Sequence, residues 1–326
     1  MGSGRAGLTR VLLIEELVSF AEQLDGDHHH PVANAAGELW GLRPPGFVRS
    51  SASHVMVAAE LDGSQRVVLR LRPDTEANQA AFRRAAGTAA AWVAAGAPFV
   101  PAVPSSRGAL IETVQGYVVM AMEAVEGETL EEEGLPQGAR AWGAALARLH
   151  STAPGGPALP LAIDLLQAPG ADPRLAELVA DLREQLGQLP FSSDVYGALH
   201  GDPEADNVVV DLQGPRFVDP DEARNGWYAA DIAFALRDWA APGHAPDLGS
   251  AVPRSFLTGY EQVRRVSREE REWLPLMARA SAAEDLLRLQ PHLGAVPDVG
   301  WPAWATQLDA RIRQRAASFD EALLLR

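Results

Sequence analysis

Neither cysteine nor lysine occurs anywhere in the 326 residues. Without cysteine there are no disulfides, no thiol nucleophile and no zinc–thiolate centre. Without lysine there is no Schiff-base chemistry and no phosphate-binding Gly-x4-Gly-Lys-Ser/Thr loop. All 28 basic residues are therefore arginines, set against 43 acidic ones for a net charge of −15. Nonspecific nucleic-acid binding draws on basic patches, so no nucleic-acid partner is expected of so acidic a chain. Long apolar runs are missing too. Val11–Ile14 stops at Glu15 and Glu16, and the longest uncharged stretch, near Thr88–Ser106, is interrupted by Gly96, Pro98, Pro101 and Pro104. Neither reads as a signal peptide or a membrane span, so no membrane partner and a cytoplasmic location are expected.

What remains is an ordinary globular composition, 47% apolar and 22% charged, long enough for two lobes. The first forty residues hold one amphipathic helix, with Leu13, Leu17, Phe20, Ala21 and Leu24 on one face, then a loop with His28, His29 and His30 that reads as solvated. From Gly46 the pattern becomes β-rich. Short runs at Phe47–Arg49, Val55–Leu61 and Arg66–Leu71, the last two joined by an Asp62-Gly63 turn, precede an alanine-rich helix over Thr75–Ala95. Leu110–Val114 and Tyr117–Met122 complete five strands with one inserted helix. Beyond Gly127 the pattern is mostly helical. Trp142, Leu146 and Leu149 share one face, Asp172-Pro173 supplies an N-cap and first residue for another helix, and Pro275, Pro291 and Pro302 read as helix breaks.

One β-rich island, His200–Asp221, interrupts the helices. It reads His200-Gly201-Asp202, four residues, Asn207, then Asp219 twelve residues further at the end of an apolar strand. A Gln213-Gly214-Pro215 turn folds the second strand back, so that Asn207 and Asp219 become neighbours. This set of groups is what phosphoryl transfer from a nucleotide needs. A carboxylate beside the acceptor hydroxyl orients it and takes its proton, and oxygen ligands hold the magnesium that bridges the phosphates. Asp202 is the candidate base; Asn207 and Asp219 are the candidate metal ligands.

These residues, with Phe217-Val218-Asp219, Ala230-Asp231-Ile232-Ala233, Arg148-Leu149-His150-Ser151 and Met122-Glu123-Ala124-Val125-Glu126-Gly127, resemble the aminoglycoside phosphotransferase (choline-kinase-like) family, a small-molecule branch of the protein-kinase fold. The landmarks run from about residue 46 to 240. Glu204-Ala205-Asp206-Asn207 with Trp227-Tyr228-Ala229-Ala230-Asp231 is similar to a bacterial branch whose substrates are often unassigned. The resemblance implies a two-lobed α+β fold. A nucleotide-binding lobe would span residues 1–123, and a helical catalytic and acceptor-binding lobe residues 124–326. It implies ATP (or GTP) with Mg2+, transferred to a hydroxyl of a small molecule. Backbone groups near Glu123 and Val125 would hold the adenine, and Ser51 and Ser53 lie where the phosphate loop would be. Arg70 would contact the α- and β-phosphates, with Arg72 on the same strand face as a second candidate. His200 and Asp231 would support the catalytic loop, and His150 reads as structural.

Two departures stand out. The phosphate-contacting cation of the family pairs with a glutamate of the next helix, where this chain has Ala85; Glu76 could substitute only if that helix started differently. No Gly-x-Gly-x-x-Gly loop is present. Glu204, Asp206, Asp221 and Glu222 would gather near the cleft and Glu131–Glu133 beyond the hinge, an arrangement that suits a cationic acceptor such as an aminoglycoside, although relatives with neutral substrates share part of it. Trp227 and Tyr228 would either line the acceptor pocket or pack. Two other activities stay open: a pseudokinase-like protein that binds nucleotide or metabolite without chemistry, and a metal-dependent hydrolase using the same carboxylates. The acceptor-binding helices, about 155–190 and 240–326, carry no motif.

Overall fold

The structure is a computed structural model describing residues 12–25, 30–42, 46–50, 54–57, 66–130, 134–152, 158–294 and 300–324. Two short helices lead, α1 (Ile14–Ala21) and α2 (Pro31–Leu39). An antiparallel sheet follows, built from β1 (Gly46–Ser50), β2 (His54–Val57), β3 (Val67–Pro73), β4 (Ala102–Val103), β5 (Ile111–Val114) and β6 (Tyr117–Glu123), with α3 (Glu76–Ala94) inserted after β3. The order is β1-β2-β3-β6-β4, with β5 also paired to β6. The two-residue β4, pairing Ala102 with Met122 and Val103 with Ala121, is a strand too short to leave a sequence signal.

The period-2 alternation of β3 decides which groups face the cleft. Val67, Leu69 and Leu71 point one way, into a core shared with Phe20, Val32, Ala36 and Trp40 of the leading helices. Arg70 and Arg72 point the other way, where Phe82 of α3 lies against both guanidinium groups.

The leading segment therefore holds two helices rather than the single one expected. Nor is His30 in a solvated loop: it is fully buried, caps α2 by accepting at Nδ1 from the Val32 N–H (3.2 Å), and stacks on Phe20. An N-cap donor-acceptor followed by Pro31 at N1 is the local signal for this second helix. His28 and His29, the Asp62-Gly63 turn, Ser51, Ser53 and Glu131–Glu133 lie outside the described residues.

The remainder is mainly helical. It contains β7 (Glu128–Thr129), α4 (Leu135–His150), α5 (Ala162–Leu165), α6 (Pro173–Gly187), β8 (Tyr196–Leu199), β9 (Val208–Asp211), β10 (Gly214–Phe217), β11 (Arg224–Trp227), α7 (Tyr228–Ala235), α8 (Ala251–Tyr260), α9 (Arg268–Gly294) and α10 (Ala303–Leu324). Asp172 caps α6 by accepting from the Arg174 N–H, with Pro173 at N1. The expected break at Pro275 does not occur, and Pro291 lies in the last turn of α9. A reciprocal Ser267–Glu270 cap starts that helix, and packing on α6, α7 and α10 outweighs the one backbone bond each proline deletes. Pro302 lies just before α10. Among the described residues no helix is long and apolar enough to cross a membrane.

Candidate active site

Three short elements converge on the loop that carries Asp202. The first is the β9–β10 hairpin. Its two-residue turn is Leu212-Gln213, not Gly214-Pro215: Gly214 pairs with Asp211 and Pro215 with Val210. Asp211 Oδ1 accepts from the Gln213 N–H (2.7 Å), closing the turn earlier than the glycine suggests, and Pro215 sits on an edge strand that needs no donor there. The hairpin returns as expected. Val218 N–H donates to the Asn207 carbonyl at 3.0 Å, so Asp219 follows directly beside Asn207.

The second element is Asp231 on α7. Its Oδ2 accepts from the His200 N–H (2.8 Å) and its Oδ1 from the Gly201 N–H (3.0 Å), while His150 Nε2 lies 2.9 Å from Oδ2. Burial alone would raise the Asp231 pKa, but the His150 hydrogen bond, the nearby histidines and the backbone donors hold it below the ordinary value. His150 also meets the Tyr260 hydroxyl at 2.7 Å, and burial lowers its pKa, against the opposing pull of Asp231. His200 accepts from the Asp202 N–H at Nδ1 (3.3 Å), which leaves Nε2–H to donate to the Val218 carbonyl (2.8 Å). Thus His200 and Asp231 tie the loop to its supports through the backbone.

The third element is α4, whose Trp142 donates from Nε1 to the Pro203 carbonyl at 3.2 Å. Asp202 itself is held by its backbone: its carbonyl accepts from Asn207 Nδ2 at 3.0 Å. Its carboxylate Oδ1 is shielded from solvent and accepts no hydrogen bond, an uncommon state for a buried polar atom. Desolvation, then the adjacent Glu204, pushes the Asp202 pKa well above the usual carboxylate range, with Arg237 opposing.

Facing this loop, Arg70 grips two carboxylates at once. Nη1 lies 2.9 Å from Asp219 Oδ1 and 3.0 Å from Asp221 Oδ1; Nη2 lies 3.1 Å from Asp219 Oδ2 and 2.7 Å from Asp221 Oδ2. Arg72 Nη2 joins Asp221 Oδ2 at 2.5 Å. Burial would raise the Asp219 pKa, but Arg70 and Arg72 hold it below its ordinary value. Ala85 is buried on α3 and Glu76 is exposed in its first turn, so neither takes the helix-glutamate place.

Several residues expected at an acceptor surface are engaged elsewhere. Asp221 is occupied by the two arginines; Glu204 pairs with Arg237, and Glu222 with Arg288 at 2.6 Å. Trp227 is almost fully buried, packed against Phe191 and Tyr196, and donates to the Pro190 carbonyl; the cavity it borders, of about 30 Å3, is too small for an acceptor. Asp206 keeps a buried Oδ1 without a partner. At the hinge, Glu123 N–H donates to the Pro101 carbonyl and Ala124 N–H to the Arg66 carbonyl, whereas among the described residues no backbone group bonds to Val125. The Glu123 carboxylate lies 3.4 Å from Arg216.

Sequence reading missed the arginines behind the loop. Arg224 donates to the Gly201 carbonyl (3.1 Å) and pairs with Glu284 of α9 (2.6 Å). No local motif marks that pair. The only hint is that, in a chain without lysine, every buried carboxylate that needs a cation must find an arginine or histidine.

A divalent cation fits this donor set. Asn207 spends its amide nitrogen on Asp202, which leaves its oxygen, and Asp219 adds a carboxylate. Among the described residues no group of three or more His, Cys, Asp or Glu forms a cage for a metal. Two protein oxygens match magnesium, which keeps water and phosphate oxygens in its shell.

Residues 47–269 match the Phosphotransferase enzyme family. The chain belongs to that family. This phosphotransferase-family chain is 30% identical over 203 residues to a homoserine kinase of Rhizobium meliloti, covering 55% of this chain and 59% of that protein. It is 38% identical over 85 residues to a homoserine kinase of Neisseria meningitidis, covering 26% and 28%. The match thus spans under two thirds of either relative. Among solved structures, an amicoumacin kinase in complex with AMP-PNP and Ca2+ superposes with TM-score 0.68 at 17% identity over 89% of this chain and 93% of that one. A microcompartment-associated aminopropanol kinase gives 0.66 at 20% identity over 88% and 94%. These likenesses show the fold, the two-lobed protein-kinase-like α+β fold that the sequence implies.

Proposed function

We propose that the protein transfers the γ-phosphoryl group of ATP or GTP to a hydroxyl of a small molecule. The observation that carries this reading is the Asp202 carboxylate: one oxygen is buried and unpartnered, beside the Asn207–Asp219 pair. The Asp202 carboxylate orients the acceptor hydroxyl and takes its proton as the new oxygen–phosphorus bond forms and the bond from the γ-phosphorus to the nucleoside diphosphate breaks. Asn207 Oδ1 and Asp219 are the ligands for magnesium. When bound, that ion neutralises charge on the transferring phosphoryl group. Arg70 supplies the cation for the phosphates, and the Val125 backbone meets the adenine. Residues 1–123 would hold the nucleotide and residues 124–326 the acceptor. Positioning and electrostatics do most of the work.

The acceptor reading shifts away from a polycation. Of the acidic residues on which it rested, Glu204, Asp221 and Glu222 are paired with arginines, Asp206 keeps an unpartnered oxygen, and Glu131–Glu133 lie outside the described residues. A cavity of about 490 Å3 opens beside Arg237 and is lined by Asp238, Asp285, Arg311 and Arg315 among others. Charges of both signs suit a small acceptor that carries both an ammonium and a carboxylate, in keeping with the homoserine kinases among the relatives.

The test incubates the protein with ATP and magnesium against homoserine, aminopropanol and aminoglycosides, reading ADP release and the mass gain of one phosphoryl group. Transfer to one acceptor, lost in Asp202→Ala while nucleotide still binds, is the expected result. Normal turnover by Asp202→Ala overturns the assignment. Nucleotide binding with no transfer to any acceptor favours a binding protein, and phosphate release without acceptor favours a hydrolase.

A further inference from the structure

We infer that Asp221 is the positioning residue for Arg70, replacing the carboxylate that Ala85 does not supply. The inference rests on the nucleotide reading above.

Asp219 and Asp221 hold the same guanidinium, yet they are not equivalent. The Asp219 side chain is 30% exposed and that of Asp221 only 4%. Asp219 has left-handed backbone angles (φ 58°, ψ 77°) and accepts from the Asp221 N–H (3.3 Å), and Pro220 fixes the next step. That turn points both carboxylates at Arg70. The partly exposed one is free to exchange Arg70 for a cation in the cleft. The sealed one stays.

The helix is consistent with this. The turn Pro220–Glu222 packs on α3, which buries Phe82, Ala85, Ala86, Thr88, Ala89 and Trp92 and offers no buried carboxylate of its own. The turn brings the carboxylate instead. Arg72 adds a third grip on Asp221, and Phe82 lies across both arginines. With Asp219 turned to a cation, Asp221 still holds both Arg70 and Arg72, so the Arg70 guanidinium stays in place for the phosphates.

The test is a double-mutant cycle read as binding of AMP-PNP with magnesium by calorimetry, which needs no turnover. Asp221→Asn is expected to weaken binding about tenfold, because an unanchored arginine must be ordered by the ligand. Asp221→Glu is expected to recover most of that loss. In the Arg70→Ala background, Asp221→Asn should change affinity by less than about twofold, since the two residues act through one another. Unchanged or tighter binding by Asp221→Asn, or an equal loss in both backgrounds, overturns the proposal. Failure of the wild type to bind nucleotide overturns the underlying reading and this proposal with it. Should Asp221→Asn not fold, Arg72→Met/Asp221→Asn removes the buried charge and its partner together and goes through the same cycle with the same two outcomes.

Discussion

Gly201 donates its backbone N–H to Oδ1 of Asp231 across 3.0 Å, thirty residues further along the chain. The neighbouring His200 N–H reaches the other oxygen at 2.8 Å, so one carboxylate fixes two consecutive peptide groups just before Asp202. Asp202 is placed by its backbone, while its carboxylate keeps one oxygen that accepts no hydrogen bond. Catalysis by positioning asks for this division of labour.

Replacing Asp231 by Asn should therefore damage both stability and turnover. One amide oxygen replaces two charged ones, and an NH2 group then faces either a backbone N–H or His150 Nε2. The loss of charge-assisted bonds in a buried network is expected to cost about 3 kcal/mol, read as a lower midpoint in urea. Turnover of the folded fraction should fall as well, because the loop is no longer fixed. A variant with wild-type stability and rate would show that the carboxylate is dispensable.

His30 makes a pH prediction that does not involve the active site. Burial against Phe20 and Tyr117 lowers its pKa, Nδ1 is used as an acceptor, and Nε2 is buried without a partner. In the unfolded chain the ring titrates near its ordinary value of about 6.5. Below that pH the unfolded state binds a proton that the folded state resists, so stability present at neutral pH is lost as pH falls towards the lowered folded value. His30→Asn keeps an acceptor for Val32 N–H but does not titrate. Its unfolding free energy should decline less steeply than that of the wild type between pH 7 and 5. Parallel slopes would show that His30 contributes no pH dependence.

How much was legible depended on sequence distance. Asn207 and Asp219 were readable because a short hairpin joins them and one apolar strand carries the register. Arg70 and Arg72 were placed on one face by strand alternation alone. What held Arg70 was not readable, since its partners lie 149 and 151 residues away and belong to a turn rather than a helix. The partners of the acidic cluster were hidden for the same reason: the arginines from α9 and beyond α7 that reach Glu222 and Glu204 lie far from them in the sequence. Trp227 and Pro275 show that packing overrides local preference, the first by enclosing a ring that was a candidate for a pocket, the second by carrying a helix past its missing donor.

The pairing of α4 with α8 gives the clearest stability test away from the cleft. Two glycines let these helices touch backbone to backbone: a Cβ on Gly259 would sit 1.8 Å from the Arg140 carbonyl oxygen, and one on Gly143 would sit 2.0 Å from that of Phe256. Neither obstacle is a side chain that can rotate away, so the helices must separate. Because α4 also carries Trp142, which holds Pro203 next to Asp202, the separation would spread towards the loop. Gly259→Ala is expected to destabilise by about 3 kcal/mol, at the upper end of overpacking costs, and to lower the thermal midpoint accordingly. Gly187→Ala is the control, because its Cβ would meet only Ile163 at 3.8 Å in the last turn of α6. There alanine should be neutral or stabilise by up to about 1 kcal/mol through the unfolded state. Equal effects of the two alanines would mean that the α4–α8 contact is looser than backbone contact requires.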